Sequence, residues 1–385
     1  MEPVVSQHVP ASTRLSELAV LYLKLGTLAF GGPAAHIAMM EDEVVRRRGW
    51  MDHQAFLDLL GVANLLPGPS STELAIFIGW RRAGLAGLLV AGTCFILPAA
   101  VLVTAIAWAY VRFGRLPAVA GVMYGVKPVV IAVVAQALWR LGRTALKTKT
   151  LAGVGVVAAV ASGLGMNPLP VLIGTGFAVV LLHMVRYRRP DLPAAVAALF
   201  PMATGGGAAT IGLWPLFLVF LKLGSVVFGS GYVLLAFLRS DLVERFHWMS
   251  EGQLIDAVAV GQVTPGPVFT TATFIGYLLA GPRGAVVATI AIFLPAFVLV
   301  AASAPLVPRI RRSPIAGAFL DGLNVAALAL MAVVTCQLAR AALVDGVTLL
   351  FALAATGLLI GVRLNAAWLV VAGGVIGLLC KSPMR

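Results

Sequence analysis

Apolar runs of membrane-crossing length recur along this chain, among them Leu85 to Tyr110, Val347 to Val362 and Asn365 to Cys380. Inside a bilayer every backbone N–H and C=O must be paired within the protein, which leaves only helices or a closed barrel. The runs lack the short apolar/polar alternation of barrel strands. They therefore predict an all-α polytopic membrane protein. Composition agrees: 60% of residues are hydrophobic and only 11% are charged, too few to cover the surface of a soluble domain of this size.

The formal net charge of +13 does not indicate nucleic acid. The basic residues stand in short clusters between apolar runs, as in Arg46-Arg47-Arg48, Arg81-Arg82, Arg140 to Lys149 and Arg186 to Arg189. That is the pattern of positive loops flanking membrane helices. The first residues lack the basic start, apolar core and small-residue site of a cleavable signal. Cys94, Cys336 and Cys380 lie far apart in apolar segments and are expected to pack as small side chains. The histidines have no metal-ligand spacing, and no phosphate-binding or nucleophile-elbow motif is present, so no cofactor or metal is expected.

The chain is written twice. "LKLGTLAFGG" (Leu23 to Gly32) returns as "LKLGSVVFGS" (Leu221 to Ser230), an offset of 198. The register holds through Trp50-Met51 and Trp248-Met249, Asp58 and Asp256, and Pro67-Gly68-Pro69 and Pro265-Gly266-Pro267. After a one-residue gap, Phe77, Ala83-Gly84 and Pro98 match Phe274, Ala280-Gly281 and Pro295. Two homologous repeats are expected, residues 1–190 and 191–385, forming one integral membrane unit. The linker is expected from "RYRRPDLP" to the Gly205-Gly206-Gly207 run. Equivalent loops carry opposite basic bias: Arg46-Arg47-Arg48 faces the balanced "RSDLVERF", while Arg112 and Arg115 face Arg309, Arg311 and Arg312. This implies an inverted repeat, its halves crossing the membrane in opposite senses.

Each half breaks its helices twice, at Phe-Gly-Gly or Phe-Gly-Ser and at Pro-Gly-Pro. Proline lacks an N–H and clashes with the preceding turn. Unwound backbone at membrane depth survives only where protein or a water-filled cavity satisfies it, and paired discontinuous helices point to a transporter's substrate site. With Pro69 as the first residue of the following helix, the N–H groups of Ser70, Ser71 and Thr72 are expected to face an anion, with Thr270 doing the same in half two. Gly31, Gly32, Gly68, Gly229, Ser230 and Gly266 would let substrate approach the backbone.

Charges within the apolar runs extend this site. Lys24 and Lys222 share a repeat position just before the glycine break, and one positive charge from each half suits a dianion. Snorkelling of either lysine to the interface is the alternative. Lys127 is a third candidate contact, with Asn324 opposite it. Asn64 and Gln262, also equivalent, offer amides to an oxyanion. Asp58, Asp256 and Glu73 are candidates for counter-charge or proton coupling, and Glu73 has no acidic counterpart in half two. For the two aspartates, capping at the membrane edge is the alternative. His36, with Leu234 opposite it, is the weaker candidate.

In "FGGPAAH" (Phe30 to His36), "EDEVVRRRGW" (Glu41 to Trp50), "NLLPGPSSTELAIFIGW" (Asn64 to Trp80) and "LPA" (Leu97 to Ala99), the chain resembles the chromate transporter family. Half two carries the same likeness in "KLGSVVFGSGY", "LVERFHWM", "VTPGPVFTTATFIGY" and "FLPAF". Ser230 stands where the resemblance leads one to expect glycine. The resemblance implies an inner-membrane carrier that exports chromate from prokaryotic cells and confers chromate resistance, with sulfate as the isosteric competitor. Alternatives are a sulfate or other oxyanion carrier, a passive anion channel, or an enzyme acting on lipid headgroups. No nucleophile–base pair supports the last of these. Oligomeric state is left open, with a homodimer one option.

Overall fold

The computed structural model describes residues 11–30, 32–114, 116–187, 212–228, 233–304, 314–362, 364 and 366–381. Gly31, Gly229, Ser230, Arg115, the three arginines after Val307 and all of the expected linker beyond Tyr187 lie outside the described residues, and Arg186 and Tyr187 belong to a helix. Half one comprises α1 (Ala11–Leu28), α2 (Gly32–Glu41, continued by a π-helical turn Asp42–Arg47), α3 (His53–Ala63), α4 (Ser70–Phe113), α5 (Pro117–Ala145), α6 (Lys149–Gly163) and α7 (Pro168–Tyr187). Half two comprises α8 (Leu213–Val226), α9 (Leu234–Leu238, continued by Arg239–Arg245), α10 (Glu251–Val263), α11 (Thr271–Ser303), α12 (Pro314–Ala342), α13 (Gly346–Gly357) and α14 (Ala366–Lys381). Among the described residues, five segments have the length and hydropathy to cross a membrane: Ser70–Phe113, Pro117–Ala145, Pro168–Val185, Val268–Ser303 and Gly317–Ala342. The all-α membrane architecture expected from the apolar runs is present.

The broken helices are fold-back hairpins. Lys24 and Glu43 are 19 positions apart, roughly 28 Å along a straight helix, yet their side chains meet at 2.7 Å. The chain therefore reverses between α1 and α2. A second reversal follows, because His53 at the start of α3 reaches Glu41 at the end of α2 at 3.2 Å. After the Pro-Gly-Pro break, the first arm of α4 returns to the level where α1 began: Arg82 Nη2 lies 2.9 Å from Glu17 Oε2 and its guanidinium stacks 4.8 Å above Trp50.

Although α4 is continuous in hydrogen bonding, it turns sharply at Ala83 (φ −147°) and Gly84 (φ +59°). Gly79 and Gly87 then lie against each other's backbone, and a Cβ on Gly92 would sit 2.9 Å from Ile76 Cγ1. Only the second arm of α4 crosses the whole molecule. Ala280 and Gly281 repeat the turn in α11, where Gly276 packs on Gly284.

Local chemistry sets the helix starts. Asp52 accepts from Ala55 N–H to begin α3, and Ser250 with Gln253 forms a capping box at α10. Pro69 and Pro267 are the N-cap residues of the segments after the breaks, one position earlier than the first helical residue expected from sequence.

The halves are inverted and interleaved. Tyr110, close to the far end of α4, donates to Asp256 Oδ2 at 2.7 Å, one and a half turns into α10. The hairpins of half two thus enter from the face where α4 of half one ends, opposite to the face where α1 and α3 begin. Beyond the hairpins the halves exchange partners. Gly125 of α5 packs against Gly373 and Gly377 of α14, and Gly176 of α7 against Gly322 of α12. Small residues let these helices approach closely where no water-driven force holds them together. Of the cysteines, Cys94 is half-buried, whereas Cys336 and Cys380 are exposed rather than packed.

Candidate functional site

At the centre of the molecule the four breaks cross. Gly68 N–H donates to Val227 O at 2.7 Å, and Gly266 N–H donates to Ala29 O at 3.1 Å. Gly68 and Gly266 are repeat equivalents, as are Ala29 and Val227, so each half's Pro-Gly-Pro turn is tied to the other half's glycine break. Pro67 and Phe228 add an isolated antiparallel bridge. These reciprocal bonds satisfy backbone that no helix can satisfy. Both glycines adopt positive φ, +141° at Gly68 and +85° at Gly266, a region costly for residues with a Cβ. A Cβ on Gly266 would lie 2.7 Å from Ala99 Cβ and 3.2 Å from Gly26 O.

The helix-start amides are less open than expected. Thr72 N–H turns back onto Pro69 O at 2.7 Å, and Thr270 N–H onto Pro267 O at 3.0 Å. These two are corrected: a short turn after each proline consumes the third amide, so any anion contact from these starts falls to residues nearer the proline. Ser70 and Ser71 remain at the break, both buried. Gly32 opens α2 with φ +77°.

The cations expected to face substrate are engaged within the protein. Lys24 Nζ bonds Glu43 Oε1 at 2.7 Å, and Lys222 Nζ bonds both oxygens of Asp241 at 3.0 and 2.8 Å. Glu43 and Asp241 are themselves one repeat apart, so the ion pair is duplicated with its lysine. Lys24 keeps 46% of its side chain exposed while Glu43 keeps 10%. The Lys24 hydrogen bond holds the Glu43 carboxyl below the usual carboxylate range, opposed by burial and helped by Arg48. Instead of two bare ammonium groups, each half presents a lysine paired with a carboxylate, and in half one Arg47 and Arg48 share that carboxylate. Lys127 Nζ lies 3.2 Å from Asp256 Oδ1, joining α5 to α10 across the halves.

The paired aspartates diverge. Asp256 is 5% exposed and is held by Tyr110 and Lys127. Asp58 is half-exposed and accepts from Gln54 at 2.9 Å within α3. The amides diverge similarly, since Gln262 is buried and Asn64 is exposed at the end of α3.

Glu73 is the buried acid of the site. It is 0% exposed, and neither carboxyl oxygen has a hydrogen-bond partner among the described residues. The carboxyl points into the break, because a Cβ on Gly68 would lie 2.5 Å from its Oε1. His36 is 1% exposed, with Nδ1 3.3 Å from Ser71 Oγ and Nε2 3.0 Å from Ala29 O. Tyr22 and His36 both stack edge-on against Phe95. At the matching positions half two carries Phe220, Leu234 and Thr270. The scaffold is symmetric and its buried polar chemistry is not.

Sequence reasoning missed Glu43, Asp241, Tyr22 and Tyr110, and undervalued His36. For Glu43 and Asp241 a signal existed: two acids at the same offset of 198 as the two lysines. A cleft of about 940 Å³ between α4 and α11 is lined mainly by apolar side chains such as Leu89, Leu97, Val286 and Leu294, with Thr93, Thr104, Thr273 and Thr289 among them. It contains no charged side chain to hold a dianion.

Comparison with known proteins agrees with this architecture. The chromate transporter family model matches residues 16–181 and again residues 214–378. The chain is 34% identical to a chromate transport protein of Cupriavidus metallidurans, over 98% of this chain and 96% of that protein. It is 31% identical to a chromate transport protein of Pseudomonas aeruginosa, over 97% and 94% of the two chains. A probable chromate transport protein of Synechococcus elongatus is 32% identical over 97% of this chain and 98% of the other. No solved structure matches. With the family model recognised in each half and these identities spanning nearly the full length, the chain belongs to the chromate transporter family.

Proposed function

We propose that this protein is a secondary carrier that exports chromate, unaltered, across a prokaryotic inner membrane and thereby confers chromate resistance. In this reading residues 1–190 and 191–385 are two repeats of one unit, and the dianion passes where their broken helices cross. The observation that carries it is the reciprocal pair of bonds from Gly68 to Val227 and from Gly266 to Ala29. These bonds bring both helix starts and both glycine breaks to one place, the arrangement inverted-repeat carriers use for an anion.

An arriving dianion competes with Glu43 and Asp241 for the ammonium groups of Lys24 and Lys222. Each lysine then swings from carboxylate to substrate, and the carboxylates hold the cations when the site is empty. Ser70 and Ser71 on one start, and the backbone N–H groups of Val268 and Phe269 on the other, supply neutral donors. Export is downhill electrically, since an inside-negative potential contributes about 2.3 kcal/mol per charge per 100 mV.

Everted vesicles containing the protein should take up chromate saturably, with sulfate as competitor and with counterflow that a channel would lack. No protein-dependent chromate uptake would overturn this function. Saturable sulfate uptake without chromate uptake would instead assign a sulfate carrier.

A further inference from the structure

We infer, on the reading that the chain carries a tetrahedral dianion, that Glu73 holds a proton whenever the dianion occupies the break, so that one proton travels with each anion. Three observations converge on this. The Glu73 carboxyl is fully buried, aimed at the Gly68 turn, and without a hydrogen-bond partner among the described residues. The cations that might neutralise it are engaged: Lys127 with Asp256, Arg82 with Glu17, and Lys24 and Lys222 with Glu43 and Asp241 or, once substrate binds, with the dianion itself. Thr270 stands opposite it in half two, so the duplicated site contains one such acid rather than two.

A carboxylate and a dianion in one dry turn repel each other, and a proton on the acid removes that repulsion. Binding of the dianion and protonation of Glu73 therefore favour one another, and the linkage is reciprocal. The titratable groups on the elements packed around the turn are His36 on α2, reached through Ser71, and Tyr22 on α1. From half two, Val227, Phe228 and Ala296 face the turn and carry no ionisable group. No bond other than O–H is made or broken: the proton leaves water on the loading side and returns to water on the other. The net charge moved per chromate is then one rather than two.

The full-length protein in liposomes, with an internal pH dye and a voltage clamp set by potassium and valinomycin, reads charge, proton and chromate together. One proton and one net negative charge per chromate is the expected result. Chromate flux carrying two charges and no proton would overturn the inference while leaving the chromate carrier intact. No chromate flux at all would overturn both. Independently, infrared difference spectra on chromate addition to purified protein should show the carbonyl band of a protonated acid, absent in Glu73→Gln. A band that persists in that variant, or no band in the wild type, would also overturn the inference.

Discussion

Lys24 Nζ lies 2.7 Å from Glu43 Oε1, and one repeat later Lys222 Nζ lies 2.8 Å from Asp241 Oδ2. A duplicated ion pair clips the two arms of each first hairpin together. Its lysines are also the cations best placed to meet substrate, and the two roles make different predictions.

Lys24→Gln and Lys222→Gln should each lower chromate flux by about tenfold or more, equivalent to ~1.4 kcal/mol of lost stabilisation, without preventing insertion. The exchanged pair Lys24→Glu with Glu43→Lys should restore the clip but not the flux. Initial rates in everted vesicles, normalised to protein in the membrane, decide between them. Full recovery in the exchanged pair would make the lysine structural.

Acid should loosen the first hairpin through Glu43. Because its carboxyl is held below the ordinary range in the fold, the pair's stabilisation is complete above the unfolded pKa, about 4.3. It fades as pH falls through the lower folded value. The pair is partly exposed, so about 1 kcal/mol or less is at stake, ~1 °C in Tm for a chain of this length. Thermal unfolding in detergent should show this acid-side loss in the wild type and not in Glu43→Gln.

Gly68 and Gly266 should respond differently to the same methyl group. At Gly266 the added carbon meets Ala99 and the Gly26 carbonyl, neither of which can swing away. At Gly68 it meets the end of the Glu73 side chain, which can rotate. Gly266→Ala should therefore destabilise by about 2–5 kcal/mol, from strain and overpacking together. Gly68→Ala should lose less stability and instead disturb transport and its pH dependence. Leucine at either position should abolish flux. Equal stability losses for the two alanine variants would contradict the contacts at the turns.

Asp256 is the buried acid that joins the halves, and Asp256→Asn leaves the Lys127 ammonium without its counter-charge. Breaking such a pair typically costs about 3–5 kcal/mol, reduced here because Lys127 is 24% exposed. Adding Lys127→Met should recover much of the loss. A double-mutant cycle on unfolding midpoints in detergent measures the coupling, and additive losses would show that the contact contributes little.

Much of this scaffold is legible in sequence because its breaks are made by proline and glycine, whose effect on backbone is local. The positions of both Pro-Gly-Pro turns and the repeat register can be read in one dimension, whereas the Ala-Gly pairs at Ala83 and Ala280 stand out only as matched residues and not as turns. Whether α1 and α2 cross or fold back cannot, since only the contact of Lys24 with Glu43 distinguishes the two. At the site, Lys24, Lys222, Lys127, Asp256 and Glu73 stand out because charge is rare in apolar runs. Their partners do not, because a carboxylate in a polar connecting turn looks solvated until the hairpin closes. His36 and Tyr22 are obscured for another reason: their counterparts Leu234 and Phe220 make them appear ordinary, although the difference between halves is what sets them apart.

The crossed docking of α5 on α14 and of α7 on α12 bears on how the protein is made. When the ribosome delivers α5 to the bilayer, the glycine-faced groove that will seat it has not been synthesised. The first helices must wait in lipid, Gly176 uncovered until α12 arrives and Gly125 until α14 does. Insertion and folding are thus separate events in this chain, and a lesion in α14 should strand an early helix as surely as a lesion in α5 itself.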